Sequence, residues 1–261
     1  MHRPKILFIG RVGFYTRDVI VFLAYIICIL LAIVRADRSW IRPFEIIIIC
    51  LITGYAAVLG GQFPAFLSIK RKNKKHSFSL KKFLFLLSIQ ELGLHSFGGL
   101  TGSLLALVLA CRIFNISISN FLDLLAPSYI LGMAFIRIGC FFNGCCYGTQ
   151  SKAPWAVKFD DGLLRHPTQL YLAFSNLAIF GILLFAEIPK PFSGSLFLAA
   201  LILYSLMRFF IDFLREDADK KKKFFGGEIT LTQLLYLATA IGALSGFLIL
   251  AFLKYDIIIH Q

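Results

Sequence analysis

The sequence predicts an all-α, polytopic integral membrane protein with about seven transmembrane helices and a small extramembrane cap. Three observations point that way. Hydrophobic residues make up 58% of the 261 residues, and the mean hydropathy is +0.79. Charged residues are only 16% of the chain and cluster between uncharged runs. Seven of those runs approach the roughly 20 residues that a helix needs to cross the hydrocarbon core. A soluble domain of this length does not need so much apolar material, so residues 1–261 are expected to form a single transmembrane domain. A formal net charge of +13 and a pI near 9.6 would suggest nucleic acid in a soluble protein. Here the basic residues sit in short loops, so the expected partners are anionic membrane lipids and no nucleic acid.

The elements follow in order. The first run, 19–34, comes after Arg3, Lys5, Arg11 and Arg17. It looks like a signal sequence, but it is long for one and no small-residue cleavage site follows, so a retained first helix is expected. The second run is 44–67. Lys70 to Lys82 reads as a basic loop, and Phe83 to Leu94 as an interfacial or re-entrant piece leading into 95–113. Further helices are expected over 121–142, 168–187, 194–214 and 229–253, with 149–167 as the polar cap. With seven helices, the face carrying the N-terminus holds 19 Lys and Arg residues and the other face 6. The positive-inside rule then puts the N-terminus in the cytoplasm.

Two arginines interrupt the apolar runs. Arg137 lies in FIRIGCFFNGCCYG (135–148) and Arg208 in RFFIDFLRED (208–217). Guanidinium does not lose its charge at accessible pH, and in hydrocarbon it costs at least about 2.5 kcal/mol. Either such a residue holds something anionic in a cavity, or it snorkels or packs against a carboxylate. Arg208 has company, because Asp212, Arg215 and Glu216 share its helix face. Snorkelling suits Arg215 and Glu216 better than Arg208. SFGGLTG (96–102) permits close backbone approach, either to a ligand or to another helix. RHPTQLY (165–171) reads as a helix start with Pro167 in the first turn. Cys28, Cys50 and Cys111 are isolated in apolar runs and read as packing residues. Cys140, Cys145 and Cys146 form no CxxC pair and no Cys/His zinc spacing, so no metal or other cofactor is expected.

Taken together and in order, FGGLTG (97–102), RIGCFFNGCCYG (137–148), PW (154–155), RHPTQLY, RFFIDFLRED and GEITLTQ (227–233) resemble the prolipoprotein diacylglyceryl transferase family. The resemblance spans about residues 44 to 253. It implies an enzyme that moves the diacylglyceryl group of phosphatidylglycerol onto the thiol of a prolipoprotein lipobox cysteine, releasing glycerol phosphate. It also implies that Arg137 and Arg208 clamp the lipid phosphate, with Asn143, Gly144 and Gly148 lining the site. By the same resemblance Gly98, Gly99, Arg165, His166, Gln169, Tyr171, Asp212 and Arg215 contribute to substrate binding. There are departures. Ile136, Cys140 and Cys145 stand where the family signature has Gly, Asn and Glu, and Phe97 stands where it has His. Val19 stands near the position of a family tyrosine. His95 and His166 are then the candidates for the general base, unless nearby arginines lower the thiol pKa enough alone. The cysteines could be small neutral substitutes, a disulfide, or a metal or redox site. Family members carry the N-terminus outside, in a bacterial inner membrane with the site open to the periplasm. That opposes the charge count, and the resemblance is given precedence. The alternatives are a divergent paralogue with another acceptor and a non-catalytic lipid-binding or transport protein.

Overall fold

The computed structural model describes residues 5–9, 12–36, 41–72, 96–187, 191–215, 223–224 and 229–259. Among these, seven helices follow one another. They are α1 (Thr16–Ala36), α2 (Pro43–Lys72), α3 (Ser96–Ile113), α4 (Ile118–Phe142), α5 (Thr168–Ala186), α6 (Ser195–Asp212) and α7 (Leu231–Ile259). Six are long and apolar enough to cross a membrane, and α3 is apolar over the shorter stretch Gly98–Ile113. The helices fall on the predicted runs, overshooting some ends and stopping one or two residues short at others. Lys70, Arg71 and Lys72 belong to the last turn of α2 rather than to a loop. Phe83 to Leu94 lie outside the described residues, as does His95. Three short antiparallel hairpins join β1 (Lys5–Ile9) to β2 (Val12–Tyr15), β3 (Val157–Lys158) to β4 (Leu164–Arg165), and β5 (Lys223–Phe224) to β6 (Ile229–Thr230). Their strands are too brief to leave a period-two hydropathy signal.

The chain divides into two compact units, Ala36–Phe121 and Met1–Arg35 with Leu122–Gln261. In the first, α2 and α3 pack antiparallel through glycine. A Cβ on Gly60 would collide with the Gly98 carbonyl, and one on Gly102 would stand 2.6 Å from the Ala56 oxygen. One on Gly99 would stand 3.1 Å from the Ala57 oxygen. SFGGLTG is thus a small-residue surface that lets two apolar helices meet backbone to backbone. Ile46, Ile49 and Cys50 of α2 and Leu107, Ala110 and Cys111 of α3 are buried.

In the second unit, Ala126 and Ile130 of α4, Ile179 and Leu183 of α5, and Leu196 and Ala200 of α6 form one apolar cluster. Cys28 of α1 donates to the Ser128 carbonyl of α4 at 2.9 Å, beside Gly132, whose missing side chain makes the room. Two buried charged groups pin the ends. Arg35 grips Glu187 through Nη2–Oε1 at 2.9 Å and Nε–Oε2 at 3.3 Å, and donates from Nη1 to the Leu124 carbonyl. Asp123 accepts from the backbone N–H groups of Gly194 (2.7 Å) and Phe197 (2.9 Å). A carboxylate there complements the positive end of the α6 dipole. The segments that follow α4 and α6 meet again, where the Thr149 N–H, seven residues past α4, donates to the Leu214 carbonyl, two past α6, at 2.9 Å, so the two helices run in the same direction.

Polarity in this unit is inverted relative to a soluble protein. On α5, Thr168, Gln169 and Asn176 are fully buried while Phe174 and Phe185 are exposed. Apolar side chains outside and polar ones inside suit a lipid solvent. The protein is a multi-pass membrane protein.

Candidate functional site

Arg208 and Asp212 sit one turn apart on α6, as their spacing predicts, and both are buried. Arg208 Nη2 lies 3.2 Å from Asp212 Oδ1. Its Nε donates to the Tyr236 hydroxyl of α7 at 3.2 Å, and the guanidinium carbon stands 5.1 Å from the centre of the Tyr236 ring. Nη1 is buried and has no hydrogen-bond partner among the described residues. Leaving a buried donor unsatisfied is expensive, more so on a charged group. Arg208 is thus fixed from one side, with donor capacity remaining on the other. Arg215 turns inward, its Nε 4.0 Å from Asp212 Oδ1 and its side chain largely buried, so the expectation that it snorkels is not met. Glu216 lies outside the described residues.

Arg137 is half-buried on α4. It lies fourteen residues beyond Asp123, as Arg208 lies fourteen beyond Gly194. At 1.5 Å per residue, each stands about 21 Å along its helix from the shared clamp. The two arginines thus stand the same number of residues along their helices from that clamp.

The chain leaves α4 through a Schellman turn. The Cys145 N–H donates to the Cys140 carbonyl at 3.2 Å and the Gly144 N–H to the Phe141 carbonyl at 3.0 Å, with Asn143 as the last bonded turn. Gly144 takes the required left-handed conformation, φ 62°, and Cys146 takes it again at φ 63°. The turn folds Cys145 and Cys146 back over Cys140, so the three sulfurs lie within 4.8 Å of one another. Sequence spacing alone did not foresee this gathering, because it is created by the backbone reversal. The loop is then held from α5. Gln169 Nε2 donates to the Cys145 carbonyl at 2.6 Å and Thr168 Oγ1 to the Cys146 carbonyl at 2.9 Å. Gly148 is obligatory, since a Cβ would collide with the Leu214 carbonyl and stand 2.8 Å from both His166 and Thr168 side-chain carbons.

Residues 149–167 contain the β3–β4 hairpin. Arg165, buried at its inner edge, donates from Nε to Asp161 Oδ2 (2.6 Å) and from Nη1 to the Gly148 carbonyl (3.3 Å), and covers the Tyr147 ring at 4.8 Å. It ties the hairpin to the Schellman loop. The Leu163 backbone N–H, followed by Arg165, holds the Asp161 carboxyl below the usual carboxylate value. Beyond Pro167, His166 Nδ1 and the Tyr171 hydroxyl are 3.1 Å apart, and Trp155 Nε1 donates to that hydroxyl at 2.8 Å.

The second unit thus carries Arg137, Asn143, Gly144, Arg165, His166, Gln169, Tyr171, Arg208, Asp212 and Arg215. Gly98 and Gly99 belong to the first unit, against α2. Tyr236 was not singled out in the sequence, and Thr168 and Trp155 entered only as members of the motifs RHPTQLY and PW. Nothing local marks Tyr236, whose partner lies 28 residues earlier on another helix.

Residues 4–249 match the family model described as prolipoprotein diacylglyceryl transferase. Three curated relatives bear the name phosphatidylglycerol–prolipoprotein diacylglyceryl transferase. One from Wolbachia sp. subsp. Drosophila simulans is 36% identical over 58% of this chain and 59% of its own length. One from Finegoldia magna is 32% identical over 60% and 61%. One from Campylobacter jejuni is 36% identical over 63% and 60%. The chain spans about three fifths of the length of these relatives. With residues 4–249 matched, nearly its whole length, the chain belongs to the prolipoprotein diacylglyceryl transferase family.

Proposed function

We propose that the protein transfers the diacylglyceryl group of phosphatidylglycerol to the lipobox cysteine thiol of a prolipoprotein, releasing glycerol phosphate. One observation carries this reading. Arg208 is a buried, permanent cation on a membrane helix, fixed by Asp212 and Tyr236, with Nη1 unsatisfied among the described residues. Arg137 lies on α4 at the same residue offset from the Asp123–Gly194 clamp as Arg208 on α6. Membership in the family and the names of the relatives support the same reading.

The chemistry asks for such a pair. A thiolate attacks the glycerol CH₂, the C–O bond to phosphate breaks, and its electron pair leaves with glycerol phosphate. Cations fixed where that charge develops stabilise the transition state without reorganising. In this reading Arg137 and Arg208 contact the phosphate, and Asp212 and Arg215 orient Arg208. Asn143, Gly144 and Gln169 shape the wall beside it, while Arg165 and Tyr171 hold that wall in place. Gly98 and Gly99 belong to the family motif by sequence, and their glycine identity serves packing against α2. His166, held by Tyr171, is the described imidazole candidate for taking the thiol proton, and His95 is the second candidate by sequence. The protein then belongs in a bacterial inner membrane, with 149–167 and the arginine ends of α4 and α6 facing the periplasm. A second reading, another acceptor for the same lipid, is favoured by Phe97 and Cys145 at positions where the family has His and Glu.

The test is glycerol phosphate release from phosphatidylglycerol by purified protein with a lipobox peptide. Release with the Cys peptide and none with its Ser counterpart supports the transferase. Release without either peptide, or with a different thiol acceptor only, supports the second reading.

A further inference from the structure

The three sulfurs at the end of α4 are unexplained by the phosphate clamp. Cys140 sits at the third position from the helix end, Cys145 three residues past that end, and the Schellman turn brings those positions together. Cys146 follows in a left-handed conformation that L-residues other than Gly, Asn and Asp seldom adopt. Its Sγ lies 3.7 Å from that of Cys145, and all three sulfurs lie within 4.8 Å. A zinc–sulfur bond of about 2.3 Å in tetrahedral geometry sets neighbouring sulfurs about 3.8 Å apart. The carbonyls of Cys145 and Cys146 are anchored by Gln169 and Thr168, so the sulfurs are presented by a preorganised loop. Among the described residues no histidine, aspartate or glutamate joins the group. The donor set is therefore three sulfurs, which selects thiophilic ions over magnesium or calcium. Arg137 lies one turn before Cys140 on the same face of α4, where its charge offsets that of three thiolates around a dication.

We propose that Cys140, Cys145 and Cys146 hold a zinc ion whose fourth position takes the acceptor thiol as a thiolate. This rests on the proposed transferase activity and supplies its missing thiol activation. A coordinated thiol is deprotonated outright, so a dedicated carboxylate at position 145 is unnecessary. The steps balance. The acceptor S–H gives its proton to a base, for which His166 in the same loop knot is the described candidate. The zinc-held sulfur pair forms the S–C bond, the C–O bond breaks, and glycerol phosphate leaves with that electron pair. Zinc changes neither charge nor oxidation state.

The experiment uses the full chain in detergent under reductant, stripped with chelator and titrated with cobalt(II). One equivalent should give intense thiolate-to-cobalt charge transfer and the visible bands of tetrahedral cobalt. Zinc should bleach them. Cys140→Ser, Cys145→Ser or Cys146→Ser should each abolish the spectrum while circular dichroism stays helical, and Cys50→Ala with Cys111→Ala should leave it intact. A lipobox Cys peptide should shift the visible bands, and its Ser counterpart should not. No thiolate spectrum in the folded protein, or an unaltered spectrum in the variants, overturns the proposal. Undiminished glycerol phosphate release from zinc-free protein overturns it while leaving the transferase reading intact. A cobalt spectrum that answers to the thiol peptide, with no turnover of phosphatidylglycerol, keeps the metal site and removes the transferase.

Discussion

Arg208 is costly where it stands, and its surroundings show how the cost is met. Asp212 supplies the opposing charge, and Tyr236 supplies both a hydroxyl and a ring face. Tyr236→Phe removes the hydrogen bond but keeps the ring, so activity should fall about tenfold while the protein stays folded. Asp212→Asn removes the charge beside a buried cation and should cost about 3 kcal/mol of stability, read as a lower unfolding midpoint in detergent. The i, i+4 pair was legible in the sequence because it is local. Tyr236 was not, because helix-to-helix contacts leave no trace in spacing. A second residue-scale prediction concerns Asp161. Its depressed folded-state pKa gives stability that is complete above the ordinary value of 3.8 and lost as pH falls through the lower folded value. The hairpin should therefore keep the Trp155–Tyr171 contact down to about pH 4 and loosen below it. Trp155 fluorescence in a Trp40→Phe background measures this, and Asp161→Asn should remove the acid step.

At the scale of elements, the helices were legible and their joints were not. Long apolar runs had to become helices because lipid leaves the backbone no other partner. Caps and turns depend on single side chains arriving from elsewhere, as Asp123 does for α6. The Schellman turn had a local sign in Asn143-Gly144, but the second left-handed residue is a cysteine, which propensity disfavours. The glycine motif had two readings from sequence, and its contact with α2 gives packing a physical account. Gly102→Ala should destabilise the protein by about 1–3 kcal/mol through overpacking, since its Cβ would stand 2.6 Å from a carbonyl. Gly181→Ala, with open space around its Cβ, should be neutral or gain up to about 1 kcal/mol from helix propensity. Thermal unfolding of the two variants in the same detergent decides between a packing surface and a general need for flexibility.

At the scale of the whole molecule, apolar side chains are exposed in both units, and the second unit keeps a buried polar seam along α4, α5 and α6. Composition alone made that legible, and the ordered motifs made the family legible. Orientation is where two physical signals oppose each other. Counted over seven expected helices, basic residues gather on the face that carries the N-terminus, yet the proposed reaction meets its acceptor outside. Outward lysines and arginines would concentrate anionic phosphatidylglycerol near the entrance. An epitope placed before Met1 should be cleaved by protease added to intact spheroplasts, and protection would put the site on the cytoplasmic side. The most direct test of the account is glycerol phosphate release with a lipobox Cys peptide by the protein, Arg137→Ala and Arg208→Ala. The account predicts peptide-dependent release that falls at least about hundredfold in each variant, with folding retained. Release that survives both substitutions would contradict the phosphate clamp on which the proposed function stands.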